Sequence, residues 1–583
     1  MINVIPTQRT KSRTFGWVQD PSDFRSLCDV VAIFDNQSEK HGELKNLTIP
    51  RIVLECDGRQ RLIDALDAEP LRISYSNLVG TGFTPRDSAR CNGIVQAAVK
   101  GQKRKFISDW PADNFVRWAH ALGFIEYHYE DDTFSITSLG IDLTEARSTG
   151  KEINQGEHEI LTTAMLAYPP AVRILKLLAQ NEDTHLTKYE IGRELGFVGE
   201  DGFTSLPQSV LIKALALEPS ANEKNKMKID WDGSSDKYAR MISKWLTELG
   251  LVEQVPKQVT VNIAGNEYTE TIGQAYMITA AGIVALKRTE GRSRYKRIRK
   301  NVYFEMLATK GKDREFLRTR RAFVLKAISE LGREICAEEI ADYLGNEGIN
   351  ASVEAVRDDV QGLINIGLNI ANVNGEYLWC DSINDFILPL QPTLTRSDLT
   401  EMKDEVRKEL TDLSHEYLAL IDLAYDSKQN RLFEMKTVEL LMDGCDYQGA
   451  HLGGSRKPDG VCYTDDMADN YGIIIDSKAY SNGYSLPIAQ ADEMERYVRE
   501  NQTRNLAINP NAWWEQFPRN ISKFYFMFVS GHFKGNYLNQ LDRISRSTGV
   551  LGAAIDIKKL LLVANDYKAG NIQHGEIETE FFK

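Results

Sequence analysis

The sequence predicts a composite fold, with helix-rich α+β modules up to about residue 380 and an α/β domain beyond. A helix followed by a two-stranded hairpin recurs three times in the first part. An aperiodic stretch with Pro389 and Pro392, Asp381 to Thr395, separates the parts. After it, β-branched and aromatic runs alternate with amphipathic helices. At ~150 residues per domain, a chain of this length holds about four domains.

Composition narrows the class. Apolar residues make up 42% and charged residues 26% of the 583, as in an ordinary globular protein. The seven cysteines form no CxxC and have no accompanying His cluster, which argues for a reducing compartment and against a zinc site or disulfide framework. No signal-peptide core or membrane-length apolar run occurs, so a cytoplasmic setting without membrane contact is expected. The net charge of −13 excludes a uniformly basic nucleic-acid binder; any DNA contact must come from local patches.

The first copy of the repeat runs from Phe115 to Leu143. The second starts at Tyr238 and, after a long hairpin, resumes at Tyr276. In both, an amphipathic helix stops at Leu-Gly (Leu122-Gly123 and Leu249-Gly250), where Gly supplies a left-handed cap. An apolar pair then opens a strand. An Ile-Thr-x-x-Gly close follows, Ile136 to Gly140 and Ile278 to Gly282. A third copy has a helix at Val356 to Ile366, Gly367, and an Asn374-Gly375 hairpin ending at Trp379. Helix, wing and short helix are the layout of a winged helix-turn-helix, a fold that serves either DNA binding or protein interaction.

Two basic segments invite phosphate contact. Lys287 to Lys300 holds eight basic residues and one acid, and reads as a solvated linker or a phosphate-binding run. The N-terminal arm carries Lys11, Arg13, Phe15, Trp17, Gln19 and Asp20. Such an arm can enter a groove with Gln19 at a base edge, or Phe15 and Trp17 can pack an N-terminal strand.

The chemistry concentrates between His451 and Tyr480. Ile473, Ile474 and Ile475 form a buried strand that ends in Asp476, Ser477 and Lys478. Alternation sends Asp476 and Lys478 to the same side. Asp459, after Pro458, can reach them from a neighbouring strand that starts at Val461. Two carboxylates and a lysine converging at a sheet edge suit a hard cation such as Mg²⁺. Such an ion lowers the pKa of bound water and neutralises charge on a phosphorane-like transition state. This is the PD-(D/E)xK arrangement of nucleases; by itself the pattern also fits a turn Asp beside a solvated strand end. Glu434 and Glu439 lie on the preceding helix. No phosphate-binding loop of the ATPase type is present, so no nucleotide motor is expected.

At this point the residues resemble a known family. Arg13 to Gln19, Arg117 to Tyr127, Gly233 to Ile242, His451 to Gly460, Gln490 to Asn505 and Phe528 to Tyr537 are similar to FokI-type type IIS restriction endonucleases, nearly end to end. The resemblance implies three winged-helix-like recognition subdomains (1–150, 151–290 and 291–380), a linker (381–393) and a PD-(D/E)xK cleavage domain (394–583). It implies Mg²⁺-dependent cutting of both strands of double-stranded DNA at a fixed distance to one side of an asymmetric site. By position it makes Asp459, Asp476 and Lys478 catalytic, with Asp459 and Asp476 holding the metal. It puts Gln19, Asp20, Arg86, Trp110, Asp232 and Lys237 at the DNA. Asp20 stands where the family has Asn, and Ile229 and Asp232 stand where it has Asn and Glu; these departures bear on the site sequence, not the chemistry.

Asp492 and Arg496 match a helix through which two cleavage domains pair. Four residues apart, they share one helical face, and could equally form an intrahelical pair. A transient homodimer on DNA, a cognate DNA methyltransferase and a prokaryotic cytoplasm complete the expectation. The alternative is a winged-helix DNA-binding regulator with a non-catalytic C-terminal domain.

Overall fold

The computed structural model describes residues 2–21, 23–80, 90–148, 150–181, 184–218, 220–263, 266–292, 297–390, 396–466 and 469–583. Arg86, residues 293–296 of the basic run and residues 391–395 of the Pro-containing stretch lie outside the described residues. Backbone contacts divide the chain into two compact units. The first comprises Met1–Phe197, Lys237–Lys257 and Gly273–Thr395; the second comprises Val198–Asp236, Gln258–Ile272 and Arg396–Lys583.

The first unit repeats one small sheet three times. In each, a two-residue strand pairs with the second strand of the recurring hairpin, which is therefore central. Ile73–Ser74 joins Thr133–Ile136 and Ile125–His128. Leu186–Thr187 joins Ala275–Ile278 and Val252–Gln254. Ile335–Cys336 joins Glu376–Trp379 and Ile370–Val373.

The shared motif has a physical cause. Gly123 and Gly250 end their helices at φ of +78° and +69°. Thr137 and Thr279 then cap the closing helices by accepting from the N–H of Gly140 and Gly282, each at 3.1 Å. A Cβ on Gly140 or Gly282 would sit 2.2 or 2.1 Å from the carbonyl oxygen of Phe124 or Leu251. Only glycine lets that helix approach the strand so closely.

The first two copies meet through equivalent residues. Trp118 and Trp245 each stand five residues before the capping glycine. Both are fully buried and stack with centroids 4.6 Å apart. Trp245 donates its indole N–H to the Pro21 carbonyl at 3.0 Å.

Several sequence expectations change here. Phe15 and Trp17 are buried at 2% and 3% exposure, so neither can enter a groove. They pack without forming a strand: Phe15 lies edge-on to His120, Tyr127 and Phe134. Arg13 pairs with Asp132 and lies 3.6 Å over the Tyr75 ring. In the basic run, Lys300 is buried, donating to Asp381 at 2.6 Å and to the Gly367 carbonyl at 2.7 Å. Arg297 donates to the carbonyls of Thr289 and Cys380. These two cations hold the fold together and are not phosphate contacts. The aperiodic stretch also contains structure: Phe386–Pro389 pairs in parallel with Val4–Thr7. A four-residue strand whose partner lies at the other end of the chain leaves no local periodicity to detect.

The second unit is built on a five-stranded sheet. Its elements along the C-terminal part are α1 (Asp398–Glu409), α2 (Ala419–Ala424), α3 (Asn430–Glu439), β1 (Gln448–His451), β2 (Gly460–Asp465) and β3 (Asn470–Lys478). They continue with α4 (Ile488–Thr503), β4 (Phe524–Ser530), α5 (Tyr537–Thr548), β5 (Gly552–Asp556), α6 (Ile557–Lys568) and α7 (His574–Phe582). Strand order follows the sequence, β1 to β5. The first two pairings are antiparallel and the last two parallel.

Helices cover both faces, which is why β3 reads as a continuous apolar run. Ile473 and Ile475 pack with Leu420, Phe433, Leu560 and Phe581 on one face. Ile474 packs with Val461, Met494, Val498 and Ile544 on the other.

Candidate active site at the end of the central strand

The register of β2 on β3 pairs Gly460 with Ile475. One residue further, Asp459 comes opposite Asp476. The acids therefore meet at the C-terminal end of the middle strand, not at a sheet edge as the sequence suggested. Alternation puts Lys478 beside Asp476, and its ammonium lies 2.7 Å from Asp476 Oδ1 and 3.6 Å from Asp459 Oδ2. Asp459 Oδ2 also accepts the Ser477 N–H at 2.7 Å. The three side chains retain only 13%, 10% and 16% exposure for Asp459, Asp476 and Lys478.

Burial sets the electrostatics. It pushes the Asp459 carboxyl up to about 6, with Glu434 adding to the rise and Lys478 opposing it. Burial and the neighbouring Asp459 hold Asp476 well above the usual carboxylate range. Burial opposes charge on Lys478, but Asp459 and Asp476 outweigh it and raise its pKa. The two acids thus favour the charged form of Lys478.

Among the described residues, no group of three or more His, Cys, Asp or Glu is arranged to hold a metal. The donor set at the strand end is two hard carboxylates. Such a pair fits Mg²⁺, which takes one or two protein carboxylates and completes its octahedron with water and phosphate oxygens.

Comparison with known proteins places the chain. A family model described as the FokI cleavage domain matches residues 396–583. Models of the FokI recognition domain match residues 13–146 (subdomain 1) and 157–294 (subdomain 2), and the FokI D3 domain matches 307–375. The type II restriction enzyme FokI of Planomicrobium okeanokoites is 44% identical over 98% of this chain and 98% of its own length. The chain belongs to the FokI family. The type II restriction enzyme StsI of Streptococcus sanguinis is 35% identical over 97% of this chain and 94% of its own length. Solved structures of FokI alone and bound to DNA superpose with TM-scores of 0.91 and 0.92, at 44% identity and over 98% of this chain and 99% of theirs. The chain thus has FokI-like recognition subdomains and a FokI-like cleavage domain in a mixed α/β architecture.

The residues expected at the DNA fall in several places. Trp17 packs on Tyr238, with centroids 4.8 Å apart, in the helix Ser234–Glu248 that carries Lys237. Asp20, half-buried, has its carboxyl raised by burial and lowered by Arg240 and Lys244 of that helix. The structure therefore brings Gln19 and Asp20 to the helix of Lys237. Lys237, Arg240 and Lys244 fall at spacings of three and four, so they share a face. Arg240 and Lys244, which the sequence reading did not single out, join Lys237 on that face by spacing alone.

Trp110 is 43% exposed in the first turn of Asp109–Ala121, ~12 Å along the helix from Trp118 at 1.5 Å per residue. Asp232 belongs to the second unit, in a turn anchored by fully buried Trp231, which meets His451 edge-on at 6.4 Å.

Asp492 and Arg496 are both on α4 and accessible, at 57% and 41% exposure, but they do not pair with each other. Asp492 binds Arg543 of α5 at 2.7 Å, and Arg496 binds Glu493 at 3.1 Å. The intrahelical Asp492–Arg496 pair left open by the spacing is replaced by these contacts.

The two acids of α3 have separate fates. Glu439 is fully buried between Lys436 and Tyr417, in a structural role. Glu434 faces the candidate site, held by Arg431, which in turn binds His451 Nε2 at 3.2 Å.

Proposed function

We propose that this chain is a type IIS restriction endonuclease that binds a short asymmetric site in double-stranded DNA and hydrolyses both strands at a fixed distance outside it. The observation that carries the chemistry is the convergence of Asp459, Asp476 and Lys478 at the end of β3. Burying two mutually repelling carboxylates is costly, and a non-catalytic regulator has no use for that cost. The cleavage domain is read as a PD-(D/E)xK nuclease spanning 394–583. The recognition part is read as three winged-helix-like subdomains over 1–150, 151–290 and 291–380.

In this reading Asp459 and Asp476 hold Mg²⁺. When bound, the ion would acidify a coordinated water and neutralise charge on the phosphate. The protein's own contribution is positional. Asp459 fixes the strand end through Ser477 N–H, and Lys478 stays protonated. Its ammonium offers hydrogen bonds to the attacking water and to the non-bridging phosphate oxygen as negative charge builds there.

Gln19, Asp20, Trp110, Asp232 and Lys237 are the proposed DNA contacts, with Arg86 retained from the family pattern. One such site carries one attacking water, so cutting both strands calls for a second cleavage domain, brought in through Asp492 and Arg496 as a transient homodimer. A cognate methyltransferase protecting the host DNA in a prokaryotic cytoplasm fits this activity.

Run-off sequencing of a plasmid digest tests the whole reading. Breaks at a constant offset from one asymmetric sequence are expected, with Mg²⁺ and without ATP. Cleavage within the bound sequence, or dependence on ATP, overturns it.

A further inference from the structure

On the β2 side, the ladder of β3 ends where Gly460 pairs with Ile475. The N–H groups of Ser477 and Ala479, which alternate to that side, have no strand left to bind. Two side chains take the place of the missing strand. Asp459 Oδ2 accepts from Ser477 N–H at 2.7 Å, and Asn430 Oδ1 accepts from Ala479 N–H at 2.9 Å. The carbonyl of Lys478, between them, accepts from Ser530 Oγ at 2.7 Å. Three backbone groups around Lys478, one from each of three successive residues, are thus each held by a side chain.

Asn430 is the first residue of α3, far from the Asp459–Lys478 segment in sequence. Its amide orientation is fixed from the other end, because its Nδ2 donates to Glu434 Oε1, and Arg431 donates to Glu434 Oε2 at 3.3 Å. The acceptor face of Asn430 is therefore committed to Ala479.

We infer that Asn430 is a positioning residue for strand cleavage, acting through the Ala479 N–H to hold Lys478 across Asp459 and Asp476. It touches no reacting atom. Its removal would let the strand end relax and the ammonium drift from the two carboxylates. The inference rests on the active-site reading above.

The experiment compares full-length variants in steady-state and single-turnover cleavage, with DNA affinity measured in Ca²⁺. Asn430→Ala removes the acceptor, and Asn430→Gln moves it outward by one methylene. Both are expected to lose about tenfold or more in kcat, within the ~10–100-fold typical of such supporting residues, with KM for DNA and the melting temperature near wild type. Wild-type kcat in Asn430→Ala or Asn430→Gln overturns the inference. So does a loss that appears only in KM or thermal stability. Asp476→Ala runs alongside: if it cuts normally, the active-site reading itself has failed, whereas an inactive Asp476→Ala beside a fully active Asn430→Ala sinks only the role of Asn430.

Discussion

The strand-end site and the proposed DNA-reading face solve opposite problems. At the end of β3, two acids and a lysine are brought together by one strand pairing and one alternation, and they are almost dry. Around the helix Ser234–Glu248, Gln19, Asp20, Lys237, Arg240 and Lys244 come from two distant segments joined through buried aromatics, with the polar ends left accessible. Chemistry at phosphorus needs fixed charges in low dielectric, where each interaction is strong. Base reading needs donors that water can reach before DNA does and that pay their desolvation on binding. A substitution at the first site should therefore abolish turnover, whereas one at the second should shift affinity or specificity by a graded amount.

The largest expected effect is at Asp476. Asp476→Ala should lower cleavage by ~10³-fold or more, equivalent to ~4 kcal/mol of transition-state stabilisation, while site binding in a gel-shift assay stays intact. Unimpaired cutting would erase the contrast between the two regions.

Acidity gives the next effect. The Asp459 carboxyl is pushed up to about 6, so its neutral form gains as pH falls through that value. Cation binding requires the anion. At sub-saturating Mg²⁺, the cleavage rate should fall about tenfold per pH unit below 6 if one proton must leave. Excess Mg²⁺ should move the fall to lower pH. A rate flat from pH 7 to 5 at limiting metal would remove Asp459 from the metal-binding set.

Lys237→Ala sharpens the other half of the comparison. A base-reading contact should cost ~1–3 kcal/mol at the specific site and less on random DNA. Equal losses on both, with a shallower salt dependence, would make Lys237 a phosphate contact.

The smallest effect is expected at α4, the proposed pairing helix. Asp492 and Arg496 already have partners in Arg543 and Glu493, so a dimer must exchange exposed ion pairs for others. Each such pair is worth ~0–1 kcal/mol, and the dimer should be weak. Cleavage rate per enzyme should rise with enzyme concentration at fixed DNA. Arg496→Asp should slow double-strand cutting without affecting site binding, and mixing it with Asp492→Arg should restore part of the rate. A rate independent of concentration and of both changes would mean that α4 pairs with nothing.

The sequence by itself determined the local features. The β-branched run, the two-residue alternation of Asp476 and Lys478, the Leu-Gly helix stops and the Thr-x-x-Gly caps are consequences of backbone geometry within a few residues. The same local logic yielded the recurring hairpins and the strand Phe524–Ser530, with its observed bounds.

Tertiary structure decided whatever depended on distant partners. Lys300 looked like a phosphate contact until Asp381 was found beside it, and Phe15 looked available until His120, Tyr127 and Phe134 enclosed it. The stacking of Trp118 on Trp245, the strand formed by Phe386–Pro389 with Val4–Thr7, and the hold of Asn430 on Ala479 belong to the same class. In each case the residue type allows several partners. Which one it takes is set by packing between segments tens to hundreds of residues apart, and periodicity carries no record of that choice.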